Sequence, residues 1–332
     1  MKIHEVQNEQ IDNEQENIDQ NIQIWNSKRI INYKTYSRSL EPILCGCEID
    51  KQTLAFGTGN PGNKILIYDR LLNQIINEFT AHSKSVMSIL HYHDTIVITG
   101  GADMQIKFWD IEDSENFKSF TAHTDYIMNL QQLNPKFYSS CSFDNSIKIW
   151  AFDSTSDTPQ GTLMGHKNGV FQVIALQQES IIASCSADNN IKIWNIKRFE
   201  CFCTLKGHKN QVNSIAKFSE DQNLIISGGD DKNLILWNWE NQEQIKVVNC
   251  VNFCIWDIRL MNDGNSIVAC GENMSIAVVD FGNGSLISNL FGHKSFPRSL
   301  LYLKGGNLVS FGYDSQIKFW KSKNKQSVIQ LN

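Results

Sequence analysis

Serine or threonine, histidine and aspartate recur together in this sequence, and these residue types form the catalytic triad of many hydrolases. The three types recur as five sets at nearly constant spacing. The histidines are His82, His123, His166, His208 and His293, the hydroxyl residues are Thr99, Ser140, Ser184, Ser227 and Ser310, and the aspartates are Asp103, Asp144, Asp188, Asp231 and Asp314. Five copies of an active site in one small protein would serve no purpose, so the repetition favours a structural role over hydrolysis.

A tryptophan follows each aspartate by six residues, and it completes each set. These are Trp109, Trp150, Trp194, Trp237 and Trp320. An indole N–H only donates, a hydroxyl donates and accepts, a neutral imidazole does one of each, and a carboxylate accepts. The four groups can therefore satisfy one another when buried, and we interpret each set as a hydrogen-bond clamp. Outside the clamps we find no paired carboxylates or nucleophile elbow, and we predict no catalytic, cofactor-binding or metal-binding residues.

The clamps belong to a repeat of 41 to 44 residues. Each tryptophan ends a short apolar segment such as Ile191–Trp194 (IKIW), and two weaker copies end at Tyr68 and Val279, so that the repeats are centred on positions 68, 109, 150, 194, 237, 279 and 320. Short β-type runs separated by Gly, Asn and Asp turns predict four antiparallel strands, a to d, in each repeat. No stretch has a sustained 3.6-residue apolar period, so we predict an all-β chain.

The fixed offsets between Gly-His or Ala-His, the hydroxyl residue, the aspartate and the final tryptophan resemble the WD-repeat (WD40) family over residues 22–332. The resemblance implies a seven-bladed β-propeller of four-stranded antiparallel blades, with each clamp buried within one blade. Residues 1–21 are rich in Asn, Gln and acidic residues, and we predict that they form a disordered tail.

Two repeats depart from the clamp pattern. The first has Gly62 and Tyr68 in place of the aspartate and the tryptophan, and the sixth has Ala269, Asn273 and Val279 in place of the hydroxyl residue, the aspartate and the tryptophan. We expect these two blades to be held by packing and by their neighbours.

Two segments are candidates for the outer strand of the last blade. The segment Ile22–Ser39 aligns without a gap with Ile191–His208, which indicates strands c and d of an incomplete unit, and the family resemblance then implies Ile30–Tyr36 as the missing strand. The segment Ser327–Leu331 could fill the same position. An open sheet edge invites aggregation, so one of the two must cap it.

Three further motifs indicate chemistry that their context does not support. Residues Gly57–Gly62 match the G-x-G-x-x-G dinucleotide fingerprint but precede a strand, not a helix, which favours a turn. Trp256–Arg259 (WDIR) resembles the box with which some WD-repeat proteins join cullin ligases, yet the repeat places it in strand a. His91 and His93, followed by Asp94, lack a third metal ligand, and we interpret them as part of a solvated turn between strands a and b.

The family resemblance also implies a docking surface, on the top face that carries the b–c and d–a connections. Residues just before the clamp aspartates and around the start of strand a lie there, and aromatic residues and Arg often anchor interfaces. We predict that the protein-interaction residues are Met87, Tyr126, Met128, Phe143, Phe171, Asp230, Trp256, Glu272, Phe296, Arg298 and Tyr313. The acidic members, Asp230 and Glu272, favour Lys or Arg on the partner.

Composition and charge limit the function classes. The 332 residues are 41% hydrophobic, enough for a large core, and the net charge of −5 arises within residues 1–20. The balanced remainder has no overall basic field, and Lys321, Lys323 and Lys325 form only a short patch, so we expect no nucleic-acid partner. The N-terminus lacks the features of a signal peptide, no membrane-spanning run occurs, and the nine cysteines lie in apolar segments as free thiols would in a reducing compartment. We expect an intracellular protein without membrane contact, in the cytoplasm or alternatively the nucleus.

The leading hypothesis is a non-catalytic scaffold or adaptor that binds a peptide or a protein subunit on its top face, within a multi-subunit complex and without a cofactor. One alternative is a structural component embedded in a large assembly, such as an axonemal, ribosome-biogenesis or transport complex. An alternative of another class is a propeller hydrolase or lyase, which the lack of a catalytic constellation disfavours.

Overall fold

The structure is a computed structural model that describes residues 30–37, 41–153, 156–176, 180–218 and 223–322. Its 28 strands form seven four-stranded antiparallel sheets. The inner strands of these sheets contact one another in a cycle, which makes each sheet a blade of a closed ring. The predicted seven-bladed all-β propeller is confirmed. The described residues include no helix that is long and apolar enough to cross a membrane.

The strands run from the centre of the ring outwards in the order a, b, c and d. Blade 1 comprises β2 (Ile43–Glu48), β3 (Thr53–Thr58), β4 (Lys64–Asp69) and β5 (Gln74–Thr80). Blade 2 comprises β6 (Val86–His93), β7 (Ile96–Gly101), β8 (Gln105–Asp110) and β9 (Glu115–Thr121). Blade 3 comprises β10 (Ile127–Gln132), β11 (Phe137–Ser142), β12 (Ser146–Ala151) and β13 (Gly161–Met164). Blade 4 comprises β14 (Val170–Ala175), β15 (Ile181–Ser186), β16 (Asn190–Asn195) and β17 (Glu200–Lys206).

The remaining blades follow the same order, and the last one includes the first strand of the chain. Blade 5 comprises β18 (Val212–Lys217), β19 (Leu224–Gly229), β20 (Leu234–Asn238) and β21 (Glu243–Val248). Blade 6 comprises β22 (Ile255–Leu260), β23 (Ser266–Gly271), β24 (Ile276–Asp280) and β25 (Ser285–Leu290). Blade 7 comprises β26 (Pro297–Tyr302), β27 (Leu308–Gly312), β28 (Gln316–Ser322) and, as its outer strand, β1 (Ile30–Ser37).

The ring is closed by β1, which pairs with β28 from Ile30 opposite Ser322 to Ser37 opposite Gln316. The N-terminal segment therefore occupies the position that the family resemblance implies for Ile30–Tyr36, and the strand extends one residue further. The competing segment Ser327–Leu331 and the predicted tail, residues 1–21, lie outside the described residues.

The core lies between blades. The b strands, such as β7, are buried at nearly every residue because both faces of the sheet are covered, whereas the outer strand β5 alternates between exposed and half-buried residues. Each clamp tryptophan packs against the preceding blade: Trp109 of blade 2 lies in one cluster with Ile65 and Ile67 of blade 1, and Trp194 of blade 4 packs with Ile147 of blade 3. Neighbouring blades thus supply the burial that one repeat cannot achieve alone.

Of the three further motifs, the glycine-rich one ends in a turn, and the other two lie in the a strands of two blades. Residues 59–63 connect β3 to β4, so the glycine-rich motif ends in a b–c turn, and Trp256–Arg259 lies in β22, the a strand of blade 6, as the repeat predicts. The interpretation of His91 and His93 as turn residues is wrong, because the a–b hairpin of blade 2 is tight and both histidines belong to β6.

The first blade also differs in detail from its expected alignment. Its b–c connection, residues 59–63, is two residues longer than residues 102–104 of blade 2. Tyr68 lies opposite Leu54 just as Trp109 lies opposite Val97, and the position of the hydroxyl residue is consequently taken by Phe56. Blade 1 therefore lacks the hydroxyl, aspartate and tryptophan groups by position, and no histidine occurs between His4 and His82 to supply the fourth.

Candidate docking face

Five hydrogen-bond clamps tie the d–a connections to the b–c turns of the top face. In blade 4, His166 Nδ1 lies 2.8 Å from Asp188 Oδ2, and its Nε2 lies 2.7 Å from Ser184 Oγ. The Trp194 indole donates to the same hydroxyl at 2.8 Å. The equivalent contacts in blades 2, 3, 5 and 7 measure 2.7 to 2.9 Å. The four side chains of each set are therefore hydrogen-bonded within one blade.

The protonation states of the clamps follow from burial and these bonds. Burial opposes ionisation of Asp103 and Asp231, but hydrogen bonds from their histidines and from backbone amides lower their pKa values to about 2. Burial lowers the pKa of His123 and His166 against the raising effect of their aspartates. The clamp imidazole side chains are only 0 to 1% exposed, and a substrate cannot reach them.

A cavity of about 320 Å³ lies at the centre of the ring, and all seven blades contribute to its wall. Seven of the predicted interaction residues line it: Met87, Met128, Phe171, Asp230, Trp256, Arg298 and Tyr313. The other four, Tyr126, Phe143, Glu272 and Phe296, do not. The cavity therefore gathers residues that lie far apart in the sequence, such as Met87 and Tyr313.

Two groups of aromatic residues lie on this face. In the blade 3–4 cluster, Phe143 packs edge-on between Tyr126 at 6.3 Å and Phe171 at 5.4 Å between ring centres. In the blade 6–7 cluster, Trp256 contacts Phe296 at 5.8 Å and Tyr313 at 6.1 Å, also edge to face.

Solvent exposure separates the members of these clusters. Tyr126 and Tyr313 are 39% and 47% exposed, whereas Phe143 and Phe296 are half-buried. Phe143 also lies over Gly169, where a Cβ atom would collide with its ring. Phe143 and Phe296 thus pack beneath or beside the more exposed rings. They hold those rings in place and contribute less exposed surface themselves.

A second polar set, which the sequence reasoning missed, binds successive inner strands together. The side chains of Ser88, Asn129, Gln172, Ser214 and Asp257 each accept a hydrogen bond from a backbone N–H in the a strand of the next blade, at 2.8 to 3.3 Å. We call this set the inner hydrogen-bond ring. Each member lies two residues after the first residue of its a strand, so a search for any polar residue at that position would have found them.

Asp257 is the most highly connected member of the inner hydrogen-bond ring. Its Oδ1 accepts from Ser214 at 3.1 Å and from the Arg259 guanidinium at 2.5 Å. Its Oδ2 accepts from the Ser299 hydroxyl and the Leu300 N–H, each at 2.8 Å. One buried carboxylate therefore joins blades 5, 6 and 7.

No combination of His, Cys, Asp and Glu side chains in the described part of the chain is arranged to hold a metal ion. All nine cysteines are free thiols, and five of them are buried. Burial raises the pKa of Cys45, which lines the cavity, to about 12, so its thiol stays protonated near neutral pH. These cysteines are poor candidates for nucleophiles or metal ligands.

Four stretches of the chain match the family model described as WD domain, G-beta repeat, at residues 73–110, 114–151, 157–195 and 199–238. Each stretch begins at the outer strand of one blade and ends with the c strand of the next, in blades 2 to 5 of the seven-bladed ring. The chain belongs to the WD-repeat family. In this WD-repeat protein, blades 1, 6 and 7 complete the ring although they lie largely outside the matched stretches.

The curated relatives of this WD-repeat chain carry names from different cellular processes. It is 25% identical over 158 residues to the Pre-mRNA-splicing factor cwf17 of Schizosaccharomyces pombe, covering 47% of this chain and 45% of that protein. It is 28% identical over 108 residues to the Eukaryotic translation initiation factor 3 subunit I of Caenorhabditis briggsae, and the match covers 32% of this chain and 32% of that protein. It is 25% identical over 93 residues to the Nuclear distribution protein nudF of Aspergillus niger, covering 28% of this chain and 21% of that protein. The chain thus matches less than half the length of each relative.

Proposed function

We propose that this WD-repeat protein is a non-catalytic scaffold that binds a protein segment on its top face within a multi-subunit complex. The observation that supports the proposal best is the central cavity with exposed aromatic residues beside it, on a face whose connections are fastened by buried clamps. A rigid surface loses little conformational entropy on binding, which favours affinity. The name of one relative, a subunit of translation initiation factor 3, agrees with a role inside an assembly.

The polar groups around the cavity support binding over catalysis. The two carboxylates that line it are both engaged, Asp257 by four donors and Asp230 by the Asn213 amide at 2.6 Å. No histidine is among the described residues that line the cavity. A general base needs a free acceptor near the reacting atom, and the four donors to Asp257 leave that carboxylate poorly suited to the role.

The names of the relatives also bear on location. Splicing, translation initiation and nuclear distribution take place inside the cell, which supports an intracellular protein. The choice between cytoplasm and nucleus depends on the complex that the chain joins, and the cytoplasm stays our prediction.

The proposal is tested by affinity purification of the tagged full-length chain at low and at high salt. We expect a partner in stoichiometric amount, and we expect Tyr313→Ala to reduce its recovery about tenfold or more, because an exposed aromatic anchor is removed. The matched control is Phe117→Ala, since Phe117 is 53% exposed on the outer strand β9, away from the top face. Equal recovery from all three proteins, or substrate turnover by the purified chain alone, would contradict the proposal.

A further inference from the structure

Arg298 differs from the other arginine at the cavity. It is half-buried in β26 and lines the cavity, yet no hydrogen bond or ion pair joins its guanidinium to another described residue. Arg259, by contrast, is held by Asp257. A guanidinium carries five N–H donors in a rigid fork that matches a carboxylate. Arg298 therefore presents an unused anion-binding group at the cavity wall.

Aromatic surface lies close to this cation. The backbone N–H of Tyr313 donates to the carbonyl of Phe296 at 3.1 Å, which places Tyr313 against the start of the strand that carries Arg298. Tyr313 and Trp256 line the same cavity as Arg298. A ligand that brings an anionic group to Arg298 can therefore cover apolar ring surface at the same time.

Most of the exposed charged residues on the top face are positive, as Arg298 is. In the described connections of this face Glu272 is the one exposed acidic residue, against five exposed lysines. The lysines are Lys84, Lys167, Lys209, Lys232 and Lys294. The exposed rim charges are therefore mainly positive, which favours acidic partners, while the ionised, half-buried clamp aspartates of the same connections offset part of this charge.

We propose that the cavity receives an aspartate or glutamate side chain of a partner protein, which pairs with Arg298 while flanking apolar residues of that segment pack on Tyr313 and Trp256. This inference rests on the proposed function and specifies the chemistry of its ligand. Of the acidic pair, Asp230 lies two blades away and is held by Asn213, and Glu272 does not line the cavity.

The same features fit a protein segment better than a nucleic acid. Single strands bind through open aromatic faces along a continuous basic groove. Here Lys84 already lies over the Tyr126 ring at 5.6 Å, and Trp256 is contacted by two other rings. Asp230 and Asp257 also line the cavity, where they would repel a succession of phosphates more than one carboxylate.

The test is a selection of a random peptide library on the immobilised full-length chain, followed by affinity measurements with an enriched synthetic peptide. We expect enriched peptides to share an Asp or Glu next to apolar residues. Arg298→Gln should weaken the peptide about thirtyfold, as for truncation of a buried charged pair, and Arg298→Lys should recover part of the loss. The matched control is Arg198→Gln, because Arg198 is exposed in the β16–β17 turn on the opposite face.

Each alternative result has a distinct meaning, once circular dichroism shows the variants to be folded. Enriched peptides without an acidic residue that depend on Tyr313 but not on Arg298 would overturn this inference and leave the proposed function intact. No enrichment, or peptides indifferent to both Tyr313→Ala and Arg298→Gln, would contradict both. Tighter binding of poly-uridylate than of any peptide, lost in Arg298→Gln, would overturn the inference in favour of nucleic acid.

Discussion

Blades 2, 3, 4, 5 and 7 and blades 1 and 6 reach the same four-stranded architecture by different interactions. The first group contains a hydrogen-bond clamp within each blade. Blade 6 has Ala269 and Val279 at clamp positions, both fully buried in an apolar cluster. Blade 1 has Tyr68, which stacks on Phe319 of blade 7 at 5.5 Å and donates to Asn73 at 2.5 Å. A clamp is thus one way to fasten a blade, and contacts with the neighbouring blades are another.

Clamps and contacts between blades produce different patterns in the sequence. A clamp joins residues of one repeat, so its four residue types recur at fixed offsets. Contacts between blades, such as those of Tyr68 and Asp257, join residues of different repeats and need no common residue type. The family model accordingly matches four of the five clamped blades, while the a, b and c strands of both unclamped blades lie outside the matched stretches.

The largest effect that we predict concerns blade 7, which has a clamp but depends on a strand from the other end of the chain. Deletion of residues 1–37 removes β1 and leaves the edge of β28 unpaired, so we expect insolubility or a melting temperature lower by roughly 10 °C or more. Deletion of residues 1–29 is the matched control, because it retains β1. If both truncated proteins melted alike, the clamp would suffice without β1, or Ser327–Leu331 would cap the edge in its place.

The next largest effect concerns the contact that serves unclamped blade 6. Asp257→Ala removes a buried carboxylate with four donors from three blades, and we expect a loss of about 3 kcal/mol in the free energy of unfolding. Urea denaturation measures the loss, with Asp113→Ala as control because Asp113 is an exposed turn residue. A loss no larger than that of the control would mean that apolar packing alone holds blade 6.

Substitutions within a clamp should have an intermediate effect. Trp194→Phe or Asp188→Ala leaves buried partners without a hydrogen bond, which should cost about 1–3 kcal/mol. In unclamped blade 1, Tyr68→Phe removes one part-buried hydrogen bond and keeps the ring packing, so we expect about 1 kcal/mol or less. Chemical denaturation that found both clamp variants as stable as the wild type would refute the stabilising role of the clamp.

The smallest effect per blade is a dependence on pH that the clamp histidines add above about pH 4, where the lowered pKa values of Asp69 and Asp280 in the unclamped blades have little influence. The pKa values of His123 and His166 are lower in the fold than the value of about 6.5 in an unfolded chain, so stability present above that pH is lost as the pH falls. The aspartates act in the same direction below about pH 4, since Asp103 and Asp231 titrate near 2 in the fold.

Denaturation midpoints between pH 7 and pH 4 test this dependence. We expect the free energy of unfolding to fall on acidification, and to fall more steeply in Asp188→Ala, because His166 then stays buried without the carboxylate that raises its pKa. A protein that becomes more stable in acid would contradict the assigned protonation states.

The sequence predicts the number of blades and the partners within each clamp because both depend on short, repeated offsets. It does not predict the inner hydrogen-bond ring, since Ser, Asn, Gln and Asp all serve at the same position. Among the rim residues, it cannot show that Phe143 packs over Gly169 or that Arg298 is left unpaired while Arg259 is taken by Asp257. These properties depend on which side chains of different repeats come together.

The pairing of Ile30 with Ser322 has a practical consequence for engineering of the chain. These positions adjoin on the face opposite the cavity, since β28 starts at the top face and runs away from it. A short linker could join them into a continuous circle, and new termini could then be opened in another exposed turn, such as the one that connects β20 to β21. Such a circular permutant would make blade 7 from consecutive sequence and move the break in the polypeptide to a blade of choice.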